Sequence, residues 1–237
     1  MSPLHPNRTK FLATAAAVAL LGSGQPLKAE SEGIRFNVLT PVEVHLTGTS
    51  TLHNWDCAGD RLDLATRINL TRDTFETAVA ATWEEKLPLP VEFLNNGKIN
   101  GTPLVAKVPI ESLECNRSRM QRDLRETVKF DDHPVIEYEL EALRETGFED
   151  RDRDTLKLSV TGKLTVAGVT RPVDHQVAIK RLDHDTFEVR GKLDLKMSWF
   201  DMEPPTALFG LLKAHNEFQV TFHFQARIQD NETDAGR

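Results

Sequence analysis

At 237 residues and a formal net charge of −7, the chain suits a single domain of barrel or sandwich size and offers nucleic acid little to hold. Residues 1–29 contain Arg8, Lys10 and Lys28 and no acid, so removing them leaves 26 basic against 36 acidic residues, a net charge of −10. Such a surface also argues against an electrostatic grip on anionic lipid headgroups, while leaving an apolar ligand held inside open.

The N-terminus reads as an export signal. Arg8 and Lys10 form a basic segment, and Phe11 to Leu21 is an apolar run too short to span a bilayer as a helix. Cleavage is expected near Ala29, giving a mature chain of residues 30–237 that carries no transmembrane segment and resides in the periplasm. Two cysteines, Cys57 and Cys115, allow one intramolecular pairing, and an exported chain meets oxidising conditions. A disulfide is therefore expected over two buried free thiols, with a stabilisation of about 4 kcal/mol from loop closure.

Val42, Val44 and Leu46 alternate with Glu43, His45 and Thr47, and the same parity runs on through Gly48, Ser50 and Leu52, predicting a long strand with one dry face. Leu62, Leu64, Ile68 and Leu70 predict another. Thr74 to Asn96 has no clear period, and Leu87-Pro-Leu-Pro90 excludes a central strand there. Val108 and Ile110 predict a short strand leading to Cys115. From Ser118 to Phe130 the period changes: Met120, Leu124 and Val128 recur every four residues, the pattern of an amphipathic helix that Asp131, Asp132, His133 and Pro134 bring to an end. Ile136, Tyr138 and Leu140 return to a period of two, and Glu145 to Asp154 reads as a charged loop.

A long hairpin follows. Leu156, Leu158, Val160, Leu164 and Val166 form the dry face of its first arm, Ala167-Gly168 its turn, and Val173, Val177 and Ile179 the dry face of its return. Asp183-His184-Asp185 is a further turn. Phe187, Val189, Leu193, Leu195, Met197 and Trp199 predict the next strand, Pro204 to Leu212 a short helical or looped cap, and Phe218, Val220, Phe222, Phe224, Ala226 and Ile228 the last strand before a polar tail from Asp230. Gly48, Gly162 and Gly191 each interrupt a dry face, a repetition that suggests the bending of a closing barrel. An immunoglobulin-type sandwich fits less well, because Trp55 precedes both cysteines rather than lying between them. The expected fold is all-β: an antiparallel barrel in one domain, with one amphipathic helix and a short capping helix.

Chemistry-bearing residues do not assemble into a catalytic pattern. No histidine sits in a metal-ligand frame, and parity puts His45 and His223 on wet faces but His175 in a dry register. Ser50 lacks the second glycine of a nucleophile elbow. Asp131-Asp132-His133 is read as a helix C-terminus with a favourable imidazole nearby. The Asn-x-Ser/Thr sequons beginning at Asn69, Asn100, Asn116 and Asn231 matter only in a eukaryotic secretory route. An enzyme is not expected, and neither a catalytic nor a metal site is assigned. The remaining candidate is the dry face: Val44, Leu46, Leu64, Tyr138, Leu158, Val160, Leu164, Val166, Val177, Leu193, Leu195, Phe222 and Phe224 either fill the lumen or leave space for one ligand.

Gly162-Lys-Leu-Thr-Val-Ala-Gly-Val-Thr-Arg-Pro-Val173 resembles the G-x-L-T-x-x-G-V-T-x-P-V signature of the YceI-like family. Asp123-Leu124 with Phe130, Pro134 and Ile136, the Ser50 to Trp55 stretch, and the segment from Phe200 to Gly210 are similar to further parts of it, so the resemblance spans about residues 40–228. It implies an extended, lipocalin-like antiparallel barrel of the bacterial periplasm, with a homodimer among the assemblies open to it. It also implies an apolar isoprenoid lipid partner, with a bound polyisoprenoid or isoprenoid quinone as the one cofactor-like molecule and Phe209 of the cap added to the lining. The alternative is a filled barrel that acts in the envelope through protein contacts, since Met197, Trp199, Phe222 and Phe224 are large enough to narrow a lumen.

Overall fold

The computed structural model describes residues 34–64, 67–68, 71–88, 104–149, 151–207 and 211–229. The expected leader through Ala29, Phe209 of the cap and the tail from Asp230 lie outside the described residues. In chain order the strands are β1 (Ile34–Ser50), β2 (Asn54–Gly59), β3 (Asp63–Leu64), β4 (Arg67–Ile68), β5 (Val105–Pro109), β6 (Leu113–Cys115), β7 (Val135–Phe148), β8 (Thr155–Val166), β9 (Val169–Arg181), β10 (Thr186–Lys196), β11 (Thr206–Ala207) and β12 (Leu212–Gln229). Helix α1 (Arg72–Val79) runs on into a π-helical turn at Ala80–Glu84, and α2 (Ser118–Thr127) follows β6.

The sheet is antiparallel throughout, in the order β3-β5-β7-β8-β9-β10-β12-β1-β2-β6, with β4 on β1 and β11 on β12 off this path. Its two ends are joined by the chain itself. Only the 3₁₀ turn Ile110–Ser112 separates β5, near one end of the order, from β6 at the other. Three residues span at most about 11 Å, so the sheet must curl until its edges approach. The result is a curled half-barrel with its alternating apolar side chains inward. β6 is an edge strand, and its open backbone groups are met by a side chain: Gln121 of α2 donates to the Leu113 carbonyl at 2.8 Å and accepts from the Cys115 amide at 2.7 Å. Cys57 and Cys115 face each other across β2 and β6 and form the disulfide, with Cα atoms 4.1 Å apart.

The hairpin of β8 and β9 follows its sequence pattern in register, from Thr155 opposite Lys180 to Val166 opposite Val169. Its two-residue turn puts both Ala167 (φ 51°) and Gly168 (φ 78°) in the left-handed region, the combination that matches strand twist in tight hairpins. Gly168 has a second role, because a Cβ there would stand 2.5 Å from the His133 ring. His133 thus packs on the hairpin turn beyond the end of α2.

Several expectations need correction. The strand expected over Leu62 to Leu70 is two short ones with different partners, β3 on β5 and β4 on β1, so one continuous ladder is impossible. Leu52 is 71% exposed in the β1–β2 turn rather than on a strand's dry face. Glu145 to Phe148 belong to β7, whose register shifts between Leu140 and Ala142 and again between Glu145 and Gly147 and so hide the period of two. Met197–Phe200 is a 3₁₀ turn ending at Asp201 (φ 53°), which buries Met197 but leaves Trp199 41% exposed. The short helical element therefore precedes the expected cap, where Thr206–Ala207 instead pairs with Lys213 and Leu212.

The unassigned region after Thr71 holds α1. Thr71 caps it by accepting from the Thr74 amide at 3.2 Å, Asp73 lies in its first turn, and Phe75, Ala78 and Val79 are buried at i, i+3 and i+4. Phe75 meets Phe36 and Phe187 edge-on, each at 5.8 Å. Arg72 ties the helix to Asp185 in the β9–β10 turn. No helix among the described residues is long and apolar enough to cross a membrane.

Candidate functional site

The inward faces of the sheet do not meet. They enclose a cavity of about 380 Å³, within the range of about 300–1,000 Å³ common for small-molecule sites. Its shape follows from the lining. On β8 alone it is bordered by Leu156, Leu158, Val160, Leu164 and Val166. Ten residue steps at about 3.3 Å each make roughly 33 Å of strand, so this modest volume is drawn out into a narrow channel. Phe36, Phe75 and Trp83 border the end under α1, and Leu124, Val128, Met197 and Met202 the end under α2.

Of the residues expected to line a lumen, Val44, Leu46, Leu64, Tyr138, Leu158, Val160, Leu164, Val166, Val177, Leu193, Leu195, Phe222 and Phe224 all border this channel. Phe209 lies outside the described residues. Met197, Phe222 and Phe224 narrow the channel without filling it, whereas Trp199 takes no part. Sequence reasoning missed Phe36, Trp55, Phe75, Val79, Trp83, Phe187 and the helix residues Leu124 and Val128 as wall. A signal existed for α1 in the Thr71 cap and the Phe75/Val79 spacing; none existed for which end of the barrel it covers.

The three mid-strand glycines have a role that differs from the expected one. Each lies under an aromatic ring. A Cβ on Gly48 would stand 2.2 Å from the Trp55 ring, one on Gly162 2.3 Å from the Tyr138 ring, and one on Gly191 2.2 Å from the Phe222 ring. Trp55 and Phe222 sit directly across the ladder from their glycines, and Tyr138 is two residues along β7 from the partner of Gly162. All three rings border the channel. A large side chain laid flat over a glycine on the next strand covers the bare backbone and presents a face to the lumen.

Polar atoms are few on this wall. The Trp55 and Trp83 indoles donate to the backbone carbonyls of Thr49 (3.2 Å) and Asp154 (2.9 Å), so only their rings matter to the channel. Tyr138 and His175 differ. The Tyr138 hydroxyl and the His175 Nδ1 are buried and have no hydrogen-bond partner among the described residues. The two rings meet edge-on at 5.2 Å. Burial pushes the His175 imidazole down from 6.5 to about 4, against a smaller opposing pull from Asp174, so the ring is neutral at pH 7. Burial, with Asp174 and Glu141 adding to it, raises the Tyr138 phenol well above its ordinary range. His45 and His223 lie outside the channel, as parity requires; His223 stands 3.8 Å from Glu43 and 3.5 Å from Glu188.

The fold is similar to that of solved bacterial proteins. Burkholderia cenocepacia BcnA matches with a TM-score of 0.56 and 15% identity, over 80% of this chain and 99% of that one. A Saccharophagus degradans domain, described as polyisoprenoid binding and implicated in plant cell wall breakdown, matches with a TM-score of 0.56 and 12% identity, over 83% and 99%. No curated relative matches the chain in sequence. The profile of the YceI-like domain matches residues 65–226, which include the β8–β9 hairpin, both helices and most of the channel wall. The chain therefore belongs to the YceI-like domain family.

Proposed function

We propose that this protein is an exported lipid carrier that holds a single isoprenoid chain, such as a quinone tail, along the channel and acts by binding rather than by catalysis. The observation that carries the reading is the channel's form: roughly 33 Å of apolar wall on β8 around only about 380 Å³. A compact ligand would leave most of that length unfilled. A flexible hydrocarbon chain would bury its surface along all of it, gaining about 25 cal/mol per Å² removed from water. The Saccharophagus degradans domain described as polyisoprenoid binding has a similar fold, which is consistent with this reading. The basic and apolar N-terminal segment supports delivery to the periplasm after cleavage near Ala29.

Native mass spectrometry of the mature protein, purified gently from osmotic-shock fluid and then extracted with organic solvent, tests both parts. The expected result is a chain beginning at Glu30 with an added mass that extracts as an isoprenoid. A bare protein mass that takes up no added quinone would overturn the carrier reading. A chain retaining Met1, or one absent from the shock fluid, would overturn the export reading.

A further inference from the structure

At one end of the half-barrel, exposed apolar side chains stand beside exposed cations. Leu52 in the β1–β2 turn is 71% exposed, and Leu211, just before β12, is 76% exposed. Thr51 ties the two turns together. Its amide donates to the Lys213 carbonyl at 3.0 Å, and its hydroxyl accepts from the Lys213 amide at 3.3 Å. Trp199 is on the same end, in the 3₁₀ turn whose Ser198 amide donates to Asn216 at 2.9 Å. The channel reaches this end too: Trp55, a short step along the chain from Leu52, borders it, as do Met197 and Met202 on either side of Trp199.

Charge is unevenly spread over the chain. Acids number 36 in 237 residues, yet Val44 to Trp55 and Pro204 to Asn216 contain none. Strands β1 and β12 bring these two stretches side by side, with Ser50 opposite Ala214. Two exposed cations flank the leucines. Lys213 lies on β12, and Arg117, just before α2, donates to the His53 ring at 2.8 Å. Neither forms an ion pair among the described residues. Of the acids next in sequence, Asp56 accepts from Asn116 at 3.1 Å and Glu217 pairs with Lys196 at 3.3 Å. The opposite end differs, because exposed Leu87 and Leu182 there are neighbours in the chain of Glu84, Glu85, Asp183 and Asp185. The net charge of −10 therefore does not describe the end that bears Leu52 and Leu211.

We infer that this end docks on the surface of an anionic phospholipid bilayer, with Leu52 and Leu211 entering the headgroup region and Arg117 and Lys213 meeting lipid phosphates. The inference rests on the carrier reading, since an isoprenoid chain is collected from a bilayer and returned to one. Apolar insertion and cation attraction are each weak alone, and together they give a stable but reversible surface contact. The half-exposed Trp199 ring suits the same depth. A second copy of the chain fits this end less well. A two-fold contact would set the same cations face to face and bury them unpaired.

The mature protein is floated with phosphatidylcholine vesicles, either plain or with about one quarter phosphatidylglycerol, neither holding any isoprenoid. Binding to the anionic vesicles is expected, at least about tenfold tighter than to the plain ones. Leu52→Asn with Leu211→Asn is expected to weaken it at least about tenfold. Arg117→Gln with Lys213→Gln is expected to weaken it by about tenfold and to leave binding to plain vesicles unchanged. Leu182→Asn, at the opposite end, is expected to change nothing. All of these side chains are exposed, so the variants keep the parent's fold, which circular dichroism checks. A parent that floats with neither vesicle, or a leucine variant that floats as well as the parent, would overturn the docking surface. A parent that sediments as a dimer, and a leucine variant that sediments as a monomer, would assign the end to self-association and overturn it too. Uptake of quinone added from ethanol, without vesicles, is measured on the same proteins and is expected to be equal in all. Uptake without vesicle binding would overturn the docking surface alone, whereas no uptake by the parent would overturn the carrier reading on which it rests.

Discussion

Acidification should destabilise this protein through one imidazole. His175 is buried against Tyr138 and Phe222, and its proton affinity is depressed from 6.5 to about 4. As pH falls through 6.5 the unfolded chain takes up this proton, whereas the folded chain resists it until about pH 4. Between those values the unfolded state binds more protons, so stability falls with falling pH and is fully present only above about 6.5. At about 1.36 kcal/mol per pH unit, the interval from 6.5 to about 4 corresponds to about 3 kcal/mol. The assay is urea unfolding followed by circular dichroism at pH 7.5 and pH 4, for the unaltered protein and for His175→Phe. Carboxylates titrate over the same range, so the informative quantity is the difference between the two proteins in stability lost. His175→Phe should lose about 3 kcal/mol less than the parent. Equal losses would show that the imidazole is not held neutral by burial and would refute the reasoning.

Gly191→Ala puts a methyl where the Phe222 ring now lies, 2.2 Å from its Cζ and 3.0 Å from the Gln176 carbonyl. A loss of about 1–3 kcal/mol is expected in thermal or urea unfolding, and an unchanged midpoint would contradict the seated ring. Breaking the Cys57–Cys115 bridge by Cys57→Ala with Cys115→Ala reopens a separation of 58 residues and should cost about 4 kcal/mol. The same loss should appear when reductant is added to the parent and be absent when it is added to the variant.

The strands were legible wherever a ladder runs without a register shift. β8 against β9, and β10 against β12, hold register throughout, and their alternation in sequence names which side chains face inward. The pattern failed where the ladder is interrupted. The register shifts in β7 hid its C-terminal half, and the division of residues 63–68 between two partners produced an apparent single strand. The glycines were visible as exceptions, but a sequence does not show which residue of the next strand lies opposite. Their pairing with Trp55, Tyr138 and Phe222, three rings on the channel wall, emerged only from the register.

The sequence by itself determined the all-β class, the inward face of each long strand and the two cysteines able to pair, because these depend on a period of two and on composition, both local properties. Tertiary structure alone decided that the inward faces stand apart to leave a channel. It also decided that α1 borders one end, and that the Tyr138 and His175 rings meet edge-on at 5.2 Å on the channel wall. Those outcomes depend on the distance between strands remote in the chain and on how tightly the sheet curls. That curl is set jointly by every register shift and by the short turn joining β5 to β6, and no local stretch of sequence records it.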